Sequence, residues 1–310
     1  ITKISTGAEL QKFRLPDSIR PQGGGSREVG PDNVTLDYSC GRMLGLFLAE
    51  GTILRQHKGG QPSAVTFSVH HDEVSRTEAW LAPMRACYRS MKTVLRKGCM
   101  AATVTVYGRS FAAFVESLCG ATDEKRMPWL WAQCGEGFAR GLVHGYLCGD
   151  GHFSPQRDRR IVATSIRSAI SVGMRDALVA LGYGWAGISR KPAAVRHGRN
   201  EREAFILNLS GPGVEALSRE VGKPFVERQR KPGGGKHASR IADGYVWLKI
   251  ADIGEPIMQP VMDFEVGHDD HSYCTVHGAT HNSEVAFWPN AQHIMAGLGQ
   301  TLPLLPGSEG

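Results

Sequence analysis

The chain has 310 residues, 41% hydrophobic and 21% charged, with a formal net charge of +6 and a pI near 9.0. That length predicts two or three cores, and no apolar run approaches the roughly 20 residues that span a bilayer, so no membrane helix is expected. The seven cysteines (Cys40, Cys87, Cys99, Cys119, Cys134, Cys148 and Cys274) form no C-x-x-C pair. Their scatter argues against a disulfide framework and a zinc site, and for reduced thiols in a cytoplasmic protein. The positive balance attracts phosphate polyanions but says nothing about fold.

Residues 1–40 open on Ile1-Thr2-Lys3 without an initiator Met, read here as a chain cut from something longer. From there small residues recur at Gly41, Gly45 and Ala49, a spacing that lines one ridge of a helix ending at Glu50-Gly51. Alternation predicts strands at Thr52–Gln56 and Val65–Val69, then a helix over 74–91. Strands at Lys92–Arg96 and Ala102–Tyr107 and a helix over Phe111–Leu118 follow. The pattern then restarts one hundred residues on: Gly141, Gly145 and Gly149 repeat the ridge, and Asp150-Gly151 repeats its end. Arg160–Thr164, a helix over 170–181, Trp185–Ser189, Ala204–Leu209 and a helix over 214–221 repeat the order more loosely.

Glycine in a helix interior costs about 1 kcal/mol relative to alanine, so a ridge of it needs a packing reason. Two helices pressed together supply one. If they run in the same direction, Glu50 and Asp150 emerge side by side, where two carboxylates repel unless a cation lies between them or one takes a proton. Hard oxygen ligands suit Mg²⁺, and Mg²⁺ suits phosphodiester hydrolysis. The plainer alternative is two unrelated amphipathic helices, but acids at a helix C-terminus face the negative end of its dipole, which makes a matched pair harder to dismiss.

Leu44–Gly51 and Leu142–Gly151 resemble the paired motifs of LAGLIDADG homing endonucleases. The resemblance implies an α+β fold over residues 41–221: two αββαββα units forming a pseudo-twofold saddle around duplex DNA, a monomer with an internal pseudo-dimer. It implies that Glu50 and Asp150 bind the divalent metal. Lys125-Arg-Met-Pro128 resembles the K-x-[hydrophobic]-P block of intein-borne members, which implies that Lys125 assists catalysis. Arg55, Lys58, Arg96, Lys97, Arg157, Arg159, Arg160, Arg190 and Lys191 are candidate groove and phosphate contacts, ranked as a group.

Residues 222–240 read as a solvated linker, with Arg228-Gln-Arg-Lys-Pro-Gly-Gly-Gly-Lys236 at its centre. A strand is expected at Gly244–Ile250. Pro260-Val-Met-Asp263-Phe-Glu-Val266 and His271-Ser-Tyr…Gly278-Ala-Thr-His281-Asn282-Ser283 then resemble the C-terminal splicing blocks of inteins, implying C-terminal strands of the Hint fold over 241–282. Asn282 would cyclise onto its own carbonyl with His281 as proton donor. Ser283 would accept the upstream acyl group, and Asp263 and His271 would tune protons; splicing needs no cofactor. The histidines of this stretch (His268, His271, His277, His281) could alternatively hold a metal, without the cysteine pairing or helical spacing such sites use. Because an N-terminal splicing half is missing from the sequence, a separate N-terminal intein fragment is the expected partner. Residues 283–310, with Glu284 in the catalytic-glutamate position, resemble a phage terminase large subunit and read as the host extein. The competing class is a splicing element whose nuclease domain binds DNA without cutting it.

Overall fold

The computed structural model describes residues 12–14, 33–56, 60–96, 98–121, 124–154, 159–196, 199–211, 213–223 and 225, and strand residues 239–242, 245–248, 272–275 and 278–281. The chain divides into two units, residues 2–249 and, with Ile1, residues 250–310.

In the larger unit a short pair, β1 (Lys12–Arg14) and β2 (Asn33–Thr35), leads into α1 (Tyr38–Glu50). Asp37 caps α1: its carboxylate accepts the Cys40 amide at 2.9 Å, taking one of the four donors a helix start leaves open. Replacing Asp37 by Ala is expected to lower the unfolding free energy by about 1 kcal/mol, measured by chemical denaturation. After α1 come β3 (Gly51–Arg55), β4 (Pro62–His70), α2 (Val74–Leu81), β5 (Ser90–Leu95), β6 (Ala101–Tyr107) and α3 (Arg109–Cys119). The helix expected over 74–91 stops at Leu81. Pro83 has no N–H for the carbonyl four residues back, and Ala82–Cys87 turn as a 3₁₀ helix before β5 begins.

The same succession follows as α4 (Gly135–Asp150), β7 (Gly151–Ser154), β8 (Arg160–Ser165), α5 (Ser168–Ala180), β9 (Ala186–Lys191), β12 (Ala204–Ser210) and α6 (Val214–Glu220). Both sheets are antiparallel with one topology: β3-β4-β6-β5 in the first half and β7-β8-β12-β9 in the second. The halves differ between their last two strands, where the second adds a ribbon of β10 (Ala194–Arg196) and β11 (Arg199–Glu201). Alternation within the strands buries one side of each sheet: Ile53, Val65, Phe67, Val104 and Val106 in the first, Ile161, Ala163, Leu207 and Leu209 in the second. These join one core with α1 and α4. The other side of the first sheet carries Thr52, Thr66, Ser68, Lys92, Thr103 and Thr105, aligned by the ladder pairs Thr52↔Thr66, Ser68↔Thr103 and Lys92↔Thr105.

Past α6 the described residues include β13 (Ser239–Ala242), which starts inside the stretch read as linker, paired with β14 (Tyr245–Leu248). In the smaller unit β15 (Ser272–Thr275) pairs antiparallel with β16 (Gly278–His281). No helix among the described residues is long and apolar enough to cross a membrane.

Candidate active site

Gly41, Gly45, Gly141 and Gly145 form the seam between α1 and α4. A Cβ on Gly41 would stand 2.1 Å from the Phe138 carbonyl oxygen, and one on Gly141 2.1 Å from that of Tyr38. One turn on, a Cβ on Gly45 would meet the Leu142 oxygen at 2.1 Å, and one on Gly145 the Arg42 oxygen at 2.0 Å. Each contact has its reciprocal at a constant offset of one hundred residues, the signature of a twofold relation between two copies of one element. Since contacts advance together along both helices, α1 and α4 run parallel. At the last step Gly149 faces Ala49: its Cβ would lie 2.5 Å from the Ala49 Cβ and 3.6 Å from Glu50 Oε1.

The seam therefore delivers Glu50 and Asp150 together at the negative ends of two helix dipoles. Burial, then the Glu50 charge, pushes Asp150 up from 3.8 to about 7. The buried Tyr146 hydroxyl lies beside it. Glu50 is also raised, first by burial and then by Glu73, a third acid that sequence reading did not single out. Two lysines answer this charge. Lys125 Nζ donates to the carbonyls of Phe47 (2.9 Å) and Leu48 (3.3 Å) at the end of α1 and sits over the Phe47 ring. Burial lowers the Lys125 pKa, while Asp150 and Glu50 hold it up. Lys223 Nζ donates at 2.8 Å to the carbonyl of Cys148 at the end of α4 and sits over the Phe153 ring. Leu48 and Cys148 are equivalent under the repeat, so the two lysines hook matching carbonyls left open by the helix ends.

Lys223 fell in the stretch read as linker, and its role as a partner of Lys125 was not anticipated. Its place is set by a Schellman turn: the Gly222 amide donates to Arg219 O at 3.0 Å and the Lys223 amide to Ser218 O at 2.9 Å, with Gly222 at φ +78°. A glycine one residue past a helical pattern, followed by Lys-Pro, was the available signal. Lys125 is held by different means. Its loop donates the Arg126 amide to Cys119 O at 2.8 Å, and Met127 packs where Gly173 leaves room, a Cβ there lying 2.3 Å from Met127 Cγ.

Several of the basic candidates are already engaged. Arg55 pairs with Glu116, Arg159 with Glu215, Arg190 with Glu203, and Lys191 with Glu201 at 2.8 Å. Arg55 and Arg190 fall on the strand parity of the buried sides; Arg96 and Arg160 are exposed on the opposite parity, as is Lys92, which sequence reading passed over. Lys58, Lys97, Arg157, Asp263, His271, Asn282 and Ser283 lie outside the described residues, and His281 closes β16 opposite Ser272. Among the described residues one further group could ligate a metal, His70, His71 and Asp72. Its atoms serve the turn that opens α2: His70 accepts the Asp72 amide, Glu73 accepts the His70 amide, and His71 pairs with Asp72 at 2.8 Å.

No protein-family model matches the chain. It is 24% identical over 260 residues, 82% of its length, to the ATP-dependent DNA helicase Hel308 of Thermococcus kodakarensis, and spans about a fifth (22%) of that relative. Solved structures similar to it include variants of the homing endonuclease I-DmoI, at TM-score 0.43 and 13% identity over 60% of this chain and 96% of that one. I-DmoI in complex with DNA and Ca gives 0.41 and 11% over 59% and 87%. The N-terminal LAGLIDADG domain of DUF199/WhiA gives 0.40 and 14% over 63% and 87%. The structural neighbours are thus LAGLIDADG homing endonucleases and the WhiA LAGLIDADG domain.

Proposed function

We propose that this chain is a divalent-metal-dependent endonuclease cutting both strands of duplex DNA, carried in an intein-like element in which Ser283 takes up the upstream acyl group and Asn282 then cyclises, breaking the Asn282–Ser283 bond. One observation carries the nuclease reading: Glu50 and Asp150 are brought side by side with a lysine hooked over each helix end. A carboxylate pair in which burial and mutual repulsion lift one member to about 7 is short of positive charge, which fits a divalent cation. Glu50 and Asp150 would hold it, Mg²⁺ being the expected ion, and when bound it supplies Lewis acidity toward a phosphate oxygen. Lys125 and Lys223, each held on a carbonyl at a helix end where its charge lowers the Glu50 pKa, stabilise charge developing at the scissile phosphates. The hydroxyl-rich outer sheet faces, with Lys92, Arg96 and Arg160 on them, meet the grooves and backbone of the duplex.

The test is cleavage of a plasmid carrying the gene that surrounds this element with the element itself removed. Linear product is expected in Mg²⁺ and none in excess EDTA; equal cutting in both would sink the metal mechanism. Binding of that DNA without cleavage in Mg²⁺ would favour the non-cutting alternative. The splicing half of the reading is supported by the ordered succession Asp263, His271, His281, Asn282, Ser283 and by a β15–β16 ladder that sets Ser272 opposite His281. Its partners would be an N-terminal intein fragment and a host segment of terminase type. Mixed with that fragment, the chain is expected to release residues 283–310 by cleavage after Asn282 or to ligate them; mass spectrometry finding neither would end it.

A further inference from the structure

A buried polar cluster sits on the second half of the seam with no counterpart on the first. His144 on α4 is 4% exposed. Its Nδ1 lies 3.0 Å from the Tyr38 hydroxyl of α1, and its Nε2 3.3 Å from Glu220 Oε2 at the end of α6. The same carboxylate oxygen accepts the Tyr183 hydroxyl and, at 2.7 Å, Nη1 of Arg140, which also donates to the Tyr183 oxygen at 2.5 Å. Glu136 closes the group by pairing with Arg140. The imidazole has one acceptor-facing and one donor-facing nitrogen here, as a neutral ring requires: Tyr38 donates to Nδ1 and Nε2–H donates to Glu220. At the equivalent positions the first half has Cys40 and Leu44, so this cluster is an addition to the repeat.

The cluster fastens the C-terminus of α6. Tyr183 is itself fixed by a Schellman turn, Gly182 N to Val179 O at 2.9 Å and Tyr183 N to Leu178 O at 3.0 Å. The start of α6 rests on its backbone, a Cβ on Gly213 lying 2.0 Å from the Tyr183 oxygen. Three residues beyond Glu220 stands Lys223, with its hook on Cys148 O. Lys125, in contrast, is positioned by its own loop, through the Arg126 amide on Cys119 O, and by Met127, which packs at Gly173 in the middle of α5.

We propose that the Tyr38–His144–Glu220–Arg140–Tyr183 cluster is a positioning device for Lys223 alone, so that damage to it uncouples the cutting of one DNA strand from the other. The strand consequence rests on the nuclease reading above. It follows from symmetry: two lysines related by the pseudo-twofold meet two scissile phosphates related by the twofold of the duplex, one lysine to each strand. A buried hydrogen-bonded cluster is a high-stakes anchor, because losing one member leaves the others unsatisfied.

The experiment uses Glu220→Ala, Glu220→Gln, which restores a hydrogen-bond acceptor, and the milder Tyr38→Phe at the far end of the cluster, should the first fold poorly. Full-length protein is treated briefly with an acetylating reagent and read by peptide mass spectrometry. Acetylation of Lys223 is expected to rise at least about threefold in Glu220→Ala and less in the other two, with Lys125 unchanged. On supercoiled DNA carrying the target, Glu220→Ala is expected to accumulate nicked circles, with second-strand cutting slowed about tenfold relative to first-strand cutting. Equal changes at both lysines, no change at Lys223, or equal slowing of both strands would overturn the proposal. Wild-type protein that cuts no DNA while Lys223 still responds selectively would instead overturn the nuclease reading and leave the positioning role standing.

Discussion

Replacing Asp150 by Asn is expected to reduce DNA cleavage by roughly a thousandfold or more while leaving the protein, in EDTA, at least as stable as the parent. A metal ligand is worth several kcal/mol of transition-state stabilisation, and about 1.4 kcal/mol is a factor of ten in rate. The stability half follows from linkage. Folding raises the Asp150 pKa from 3.8 to about 7, through burial and then the Glu50 charge. A carboxyl raised in this way opposes folding once it must ionise. Below its unfolded value neither state is charged and there is no cost. The cost grows as pH climbs through the window between 3.8 and about 7, and above that it is complete, on the order of 2 kcal/mol or more. The parent should therefore lose stability across that window in EDTA, the Asn variant should lose less, and added Mg²⁺ should raise the melting temperature of the parent alone. Thermal scans at several pH values read all three. A variant that melts well below the parent at neutral pH would show that Asp150 is a structural partner rather than one of a strained pair.

Gly145→Ala is expected to destabilise the protein by about 3 kcal/mol or more and to cost cleavage on the order of a hundredfold, an effect out of proportion to one methyl group. The added carbon would sit 2.0 Å from the Arg42 oxygen and 2.8 Å from the Leu46 nitrogen. Both are backbone atoms, so no side chain can swing aside; the helices themselves must separate, an overpacking cost. Separation also moves Glu50 away from Asp150, and a misplacement of about 1 Å at reacting groups costs about a hundredfold. Gly137→Ala on the same helix is the control. A Cβ there meets nothing within 4 Å, so the ordinary preference of a helix for alanine should hold and stability should rise by up to about 1 kcal/mol. Opposite signs from one substitution at two positions of α4, read by denaturant titration, would locate the effect in the seam. Similar small changes at both would mean the helices are not in backbone contact.

The acids were legible in the sequence because the seam that brings them together is written locally, in residues four apart and again one hundred residues on. Lys125 could be named from its neighbours in the chain. Lys223 could not: it matters because its ammonium reaches Cys148 O, 75 residues away in sequence, and no periodicity encodes that reach. The same limit applied to the basic candidates. Which face of a sheet an arginine takes depends on strand register, and a shift between Leu54 and Arg55 falls at the end of β3 itself. Arg55 and Arg190 ended in ion pairs with Glu116 and Glu203, whose proximity is a tertiary matter.

What the sequence alone determined was the repeat: two glycine-ridged helices each ending in an acid, each followed by strands. Small-residue spacing and alternation are properties of neighbouring positions, so they survive without a fold. The tertiary structure decided which charges neutralise one another, that a second lysine answers the first, and that a buried histidine cluster ties one of them down. Those are interactions between groups distant along the chain, and they exist only once packing has chosen who stands beside whom.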